Sequence, residues 1–428
     1  MVETHIYRDI KTVFDNLNSI IENKELESLN PRDAISRLTL DDKGIKVYDD
    51  PNLDSREFKP IHESATDIHR KVKDIPYDYA YGLDGSTTRD MRYNNGLILS
   101  ASVAGISAMN REKMSEIQSR SSTCISAYFG DTNLNMNNKY IKDNKKITIK
   151  QYPQLHNHTS DLPSWVYSMG RTYAEGELFE WVSEDIDQPL FVDGPLIPTQ
   201  HIIWMMYNKM NSSFVSPIQD WETEIKEIVK SYITGINNCV MNNIPVFGVQ
   251  KTTVGTRVID SIIEKSSDLE AKDIPWNNDS ILFTHALSLT NQERELLDGS
   301  IISYTPWYVE KNIEIGNEKV VPLEGYTDIN MKYGSAEDYL RDFFYVKTEN
   351  KKTVYRVGVP RLLFEKSDYT REQVRYIALK EMSRQNSEPL PILLADKKVR
   401  ISKEQKKTIQ QIINLNSNID RNEERFGY

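Results

Sequence analysis

Two short phrases in this 428-residue chain place an aspartate where an apolar run breaks into a glycine turn: Leu83-Asp84-Gly85-Ser86 and Val192-Asp193-Gly194-Pro195-Leu196. A half-buried carboxylate is unfavourable unless positive charge lies against it. Two of them brought together by folding would make a site for a divalent cation. The glycine after each aspartate lets the chain turn sharply and leaves room for a phosphate to come close. Taken singly, each phrase is equally satisfied by an aspartate capping its own turn.

Hard cations such as Mg²⁺ and Mn²⁺ need further oxygen ligands. The helical stretch before Asp193 offers Glu175, Glu177, Glu180 and Glu184. Leu178, Phe179 and Val182 lie three, four and seven residues beyond Glu175, so Glu175 shares the core-facing stripe. Glu177, Glu180 and Glu184 fall on a different stripe that water can solvate. A Glu175 simply paired with Arg171 is the competing reading. Lys251 closes the apolar run Pro245-Val246-Phe247-Gly248-Val249, where it can reach a scissile phosphate or extend to solvent. Neither serine-bearing turn has the G-x-S-x-G elbow, which argues against serine hydrolase chemistry. His156-Asn157-His158 sits in a polar loop with no further metal-ligand context.

The elements that must position these groups are legible in the patterning. Runs rich in Ile, Val, Tyr and Thr predict strands at 79–83, 96–106, 123–129 and 146–152, with 131–144 as a loop or hairpin end. A helix is expected over 164–184, a buried strand over 190–192, a long helix over 221–242 and a strand over 246–249. Later, 343–347 and 354–359 read as a hairpin, followed by a helix over 371–385 and a closing amphipathic helix from about 403. Strands first, then alternating helix and strand, describe a mixed-sheet α/β design. Both aspartates then fall at C-terminal ends of central strands, where open α/β sheets gather ligands. Near the N-terminus, Ile6, Ile10, Val13, Phe14, Leu17, Ile20 and Ile21 form one apolar stripe that needs a partner.

Composition sets the outer bounds. Hydrophobic residues at 39 % and a charged fraction of 27 % are those of a globular protein. The net charge of −10 excludes a generally basic coat, so contact with nucleic acid would need a local groove. Basic strips at 139–150 and 397–407 read most simply as solvated faces. Two distant cysteines, Cys124 and Cys239, suggest neither a disulfide framework nor a thiolate metal cluster, which fits a reducing cytoplasm. No signal pattern and no membrane-length apolar run is evident, so the chain is expected to be soluble and cytoplasmic.

The ordered set of phrases resembles the NurA nucleases, DNA end-processing enzymes with an RNase H-like core. The resemblance runs through Gly82-Leu83-Asp84-Gly85-Ser86, Arg171-Thr172-Tyr173-Ala174-Glu175, Leu190 to Leu196 and Val246-Phe247-Gly248-Val249-Gln250-Lys251. It continues through Tyr355-Arg356-Val357 to Pro391-Ile392-Leu393-Leu394-Ala395-Asp396, and so spans about 77–412. It implies an N-terminal helical extension (1–75), a nuclease domain with an RNase H-like core (76–412) and a C-terminal tail (413–428). By the same resemblance Asp84, Glu175, Asp193 and Asp396 are metal ligands for two Mn²⁺ or Mg²⁺ ions, and Lys251 assists at the phosphate. The implied function is metal-dependent hydrolysis of single-stranded DNA or unwound ends, in repair by end resection, as a homodimer with a hexameric HerA-type ATPase. One departure stands out. Asp396 replaces the family's usual histidine, and an aspartate can bind a cation but cannot lend a protonated imidazole to a leaving group. A weakened adaptor docked on a hexameric DNA motor, and an RNase H-like enzyme acting on RNA, are the alternatives.

Overall fold

The structure is a computed structural model. It describes residues 29–37, 45–47, 58–88, 91–92, 96–108, 115–129, 138–155, 161–198, 200–203, 221–251, 255–266 and most of 269–412. The N-terminal apolar stripe, His156-Asn157-His158 and the tail 413–428 lie outside the described residues.

Five strands carry the site. We number them β1 (Tyr81–Thr87), β2 (Ile98–Ala108), β3 (Ser121–Tyr128), β4 (Leu190–Asp193) and β5 (Val246–Gln250). β1, β2 and β3 form an antiparallel meander, while β4 pairs parallel with β1 and β5 parallel with β4. The resulting order, β3-β2-β1-β4-β5, is that of the expected RNase H-like core. The first three residues of β4, Leu190-Phe191-Val192, are uniformly apolar and buried, as a central parallel strand requires. Phe191 stacks on Phe247 of β5 with ring centroids 4.4 Å apart.

Among the described residues the sheet extends on both sides to fourteen strands. Beyond β5 comes the expected hairpin, β6 (Arg341–Thr348) and β7 (Val354–Pro360), with β7 antiparallel to β5. Beyond β3 lie strands Lys145–Tyr152 and Asn138–Lys142, so part of the segment expected as loop is an edge strand. The stretch before Tyr77 adds strands Ile45–Val47 and Ile61–Ser64 to the same sheet, alongside helices Pro31–Ser36 and Ala65–Lys71.

Helix α1 (Leu162–Val182) starts on Pro163, whose missing N–H costs nothing in a first turn. It packs between the sheet and α2 (Glu222–Met241), whose Ile225, Ile228, Val229, Tyr232, Ile233, Ile236 and Val240 recur at helical spacing on its buried side. The opposite face of the sheet is covered by α3 (Leu390–Val399), where Pro391 and Ile392 press against Gly82 so closely that a Cβ there would strike their backbone.

A second, smaller core gathers Val258, Phe283, Tyr308, Phe343 and Tyr345 on the far side of the β6–β7 hairpin. At its edge Glu310 is buried and ringed by Arg257, Arg341 and Arg356. Burial opposes its charge, but the three guanidinium groups hold it well below the usual carboxylate range.

Candidate metal centre

Register brings the two aspartates together. Tyr81, Gly82 and Leu83 of β1 pair with Leu190, Phe191 and Val192 of β4. One further step puts Asp84 level with Asp193 on the same face, on strands ~4.8 Å apart. Asp84 is not at the end of its strand, as the sequence led us to expect. β1 continues to Thr87 against β2, while its pairing with β4 stops at Leu83. The sheet opens there between two strands whose connections leave in opposite directions, and ligands of open α/β sheets collect at such switch points. Gly194, just beyond Asp193, adopts a φ of 108° with open space where a side chain would be.

Glu175 arrives from the other face. A Cβ on Gly85 would lie 2.6 Å from Glu175 Cγ and 2.9 Å from its Cδ, so the glycine makes the gap that the carboxylate enters. Tyr232 of α2 donates its hydroxyl to Glu175 Oε2 at 3.3 Å. Arg171, one turn earlier on α1, donates from Nε to Glu175 Oε1 at 2.7 Å and reaches Asp84 Oδ1 at 3.4 Å. The Glu175–Arg171 pairing weighed from the sequence is therefore present, and it includes Asp84 as well.

Lys251 follows β5 and donates to Asp193 Oδ2 at 3.1 Å, with Glu388 Oε2 at 2.8 Å on its other side. Burial works against the ammonium, but Asp193 and Glu388 outweigh it and raise its pKa. The Asp84 carboxyl is pushed up to about 8, first by burial, then by Asp193 and Glu175, against the pull of Arg171 and of the Gly85 N–H. Burial also raises Glu175, although Arg171 draws it back.

One expectation needs correction. Glu177 is buried rather than solvated: it accepts from Ser122 Oγ at 2.6 Å and pairs with Lys139 at 2.6 Å. The edge strand Asn138–Lys142, which carries Lys139, supplies the partner that a solvated stripe would not need. Asp396 lies on α3, whose sheet-facing side is Pro391, Ile392, Ala395 and Val399, and it pairs with Arg400 one turn on at 3.2 Å.

Glu388 and Tyr232 were missed by the sequence reading. A tyrosine on the buried stripe of α2 was a faint signal, since its hydroxyl must find a partner. Glu388 gave none beyond its place just ahead of a helix.

Among the described residues, no three Asp, Glu, His or Cys side chains stand as a ready ligand set. The spaces between the carboxylates are spanned by Arg171 and Lys251. The donors nonetheless suit a hard divalent cation: all are oxygens, they are buried, and Asp84 and Asp193 repel one another in its absence. Asp84, Asp193 and Glu175 would hold it in place of the contacts now made by Arg171, whose side chain is 40 % exposed.

Fold and residues together define a mixed α/β protein with an acidic site at the switch point of an RNase H-like core. No family model and no curated protein matches the chain. Its neighbours among solved structures include NurA nucleases. The NurA nuclease from Sulfolobus solfataricus is 12 % identical with a TM-score of 0.48, over 96 % of this chain and 97 % of that one. A NurA bound to dAMP and manganese is 12 % identical with a TM-score of 0.46, over 98 % of each chain. Likeness of this degree carries no conclusion about chemistry, which rests on the residues themselves. No helix among the described residues is long and apolar enough to cross a membrane.

Proposed function

We propose that this chain is a divalent-metal-dependent nuclease that hydrolyses phosphodiester bonds of DNA, on single strands or unwound ends. The observation that carries the reading is the adjacency of Asp84 and Asp193 in register on parallel strands, with Glu175 reaching the same point through the gap at Gly85. A bound Mn²⁺ or Mg²⁺ would polarise the phosphoryl group and lower the pKa of water. The chain's own residues divide the remaining work. Asp84, Asp193 and Glu175 would hold the cation, and Tyr232 fixes the Glu175 carboxylate through its hydroxyl. Lys251, 41 % exposed and next to Asp193, presents positive charge to a phosphate oxygen. The open space at Gly194 admits the strand.

DNA as substrate, end resection in repair, a homodimer and a hexameric HerA-type ATPase partner follow from the sequence resemblance and form part of the proposal. The deciding experiment is cleavage of labelled single-stranded DNA with Mn²⁺ by the wild type and by Asp193→Ala. We expect the variant to stay folded and lose at least ~100-fold in rate, and full activity in it would overturn the reading. The second reading, an adaptor of weakened activity, draws on Asp396 being paired with Arg400. It predicts no cleavage by the wild type with Mn²⁺ but tight binding to a hexameric DNA motor. Cleavage of an RNA of the same sequence in preference to DNA would favour an RNase H-like enzyme of different specificity.

A further inference from the structure

Four carboxylates and two basic side chains form one row at this site. Arg171 lies between Glu175 and Asp84, at 2.7 and 3.4 Å. Lys251 lies between Asp193 and Glu388, at 3.1 and 2.8 Å. Asp84 and Asp193, the inner pair, lie side by side on adjacent strands. The side chains of all four acids are at most 14 % exposed.

A second ion between Asp193 and Glu388 would have to occupy the position of the Lys251 ammonium, which both carboxylates already contact. Glu388 is well placed to keep it there. It precedes Pro389, which restricts its backbone to extended conformations, and α3 is pressed against Gly82 immediately afterwards. On the preceding side, Ser387 Oγ lies 3.3 Å from the Tyr355 hydroxyl of β7. The backbone that carries Glu388 is thus restrained on both sides.

We propose that the site takes one divalent cation, on Asp84, Asp193 and Glu175, and that Lys251, clamped by Glu388, supplies the positive charge that a second ion would otherwise bring. Glu388 is a positioning residue in this arrangement. The inference rests on the metal-dependent reading above and departs from the two ions implied by the family resemblance.

The test counts ions in the full-length chain by Mn²⁺ titration calorimetry and by electron paramagnetic resonance, with thermal melts as a check on folding. The wild type should bind one Mn²⁺ per chain and give an uncoupled single-ion signal. Lys251→Ala frees Asp193 and Glu388, so its count should rise to two, with a spin-coupled signal. Glu388→Gln leaves Lys251 to Asp193 alone, where it competes with the metal. Mn²⁺ affinity should fall about tenfold, in the range for residues that orient metal ligands, and Glu388→Asp should recover part of it. Two coupled ions in the wild type, or an unchanged single ion in Lys251→Ala, would overturn the proposal while leaving metal dependence intact. A wild type that binds no Mn²⁺ would overturn the metal-dependent reading itself.

Discussion

Replacing Asp84 by Asn should make the metal-free protein more stable while removing its activity. In the folded chain the Asp84 carboxyl titrates at about 8, because of burial and the nearby Asp193 and Glu175 carboxylates, against 3.8 in its ordinary state. An acid whose folded pKa is raised contributes stability that is fully present below its unfolded value and is lost as pH rises through the folded one. From 3.8 to pH 7 the linkage amounts to about 4 kcal/mol, at about 1.4 kcal/mol per pKa unit. Movement of Arg171 and entry of water at the rim reduce this, and we expect about 2 kcal/mol at pH 7. Asn has no charge to lose and can still accept the Gly85 N–H bond that Asp84 Oδ1 accepts at 2.7 Å. Urea titrations of wild type and variant in chelator, at pH values from 3.5 to 8.5, measure the difference directly. It should be near zero at the acid end, grow through neutrality and level off above pH 8. A variant no more stable than the wild type, or an advantage independent of pH, would refute the reasoning. Saturating Mn²⁺ should reverse the order, since only the wild type gains from binding.

Other perturbations test neighbouring parts of the argument. Gly85→Ala puts a methyl 2.6 Å from Glu175 Cγ, which Arg171 and Tyr232 hold in place, so the carboxylate must shift. We expect about 1–3 kcal/mol of destabilisation by denaturant melts and a ~100-fold loss of cleavage rate, and wild-type values of both would show that Glu175 is not confined there. Arg341→Met takes one of the three arginines from the buried Glu310 and should cost about 3 kcal/mol in the same melts while leaving Mn²⁺ affinity unchanged, because this network lies apart from the metal centre.

What could be read from the chain itself was local. Apolar runs ending in Asp-Gly marked β1 and β4 as carriers of chemistry, and the three- and four-residue spacing around Glu175 put it on the buried side of its helix. Boundaries of α1, β4, α2 and β5 agree within two residues with the patterning, because strand alternation and helical period depend on neighbours within a turn or two, whereas β1 runs four residues beyond its expected end because its pairing with β2 continues to Thr87. The remainder depended on pairing between distant segments. A register in which Leu83 meets Val192 places the two aspartates side by side, whereas a slip of one residue would send them to opposite faces. Glu177 looked solvated because the edge strand bearing Lys139 comes from another part of the chain. Glu388 meets Lys251 from 137 residues away in sequence. Spacing along a chain determines which face of an element a side chain takes, and only the packed tertiary structure decides which charges then share a site, because that depends on contacts no local pattern encodes.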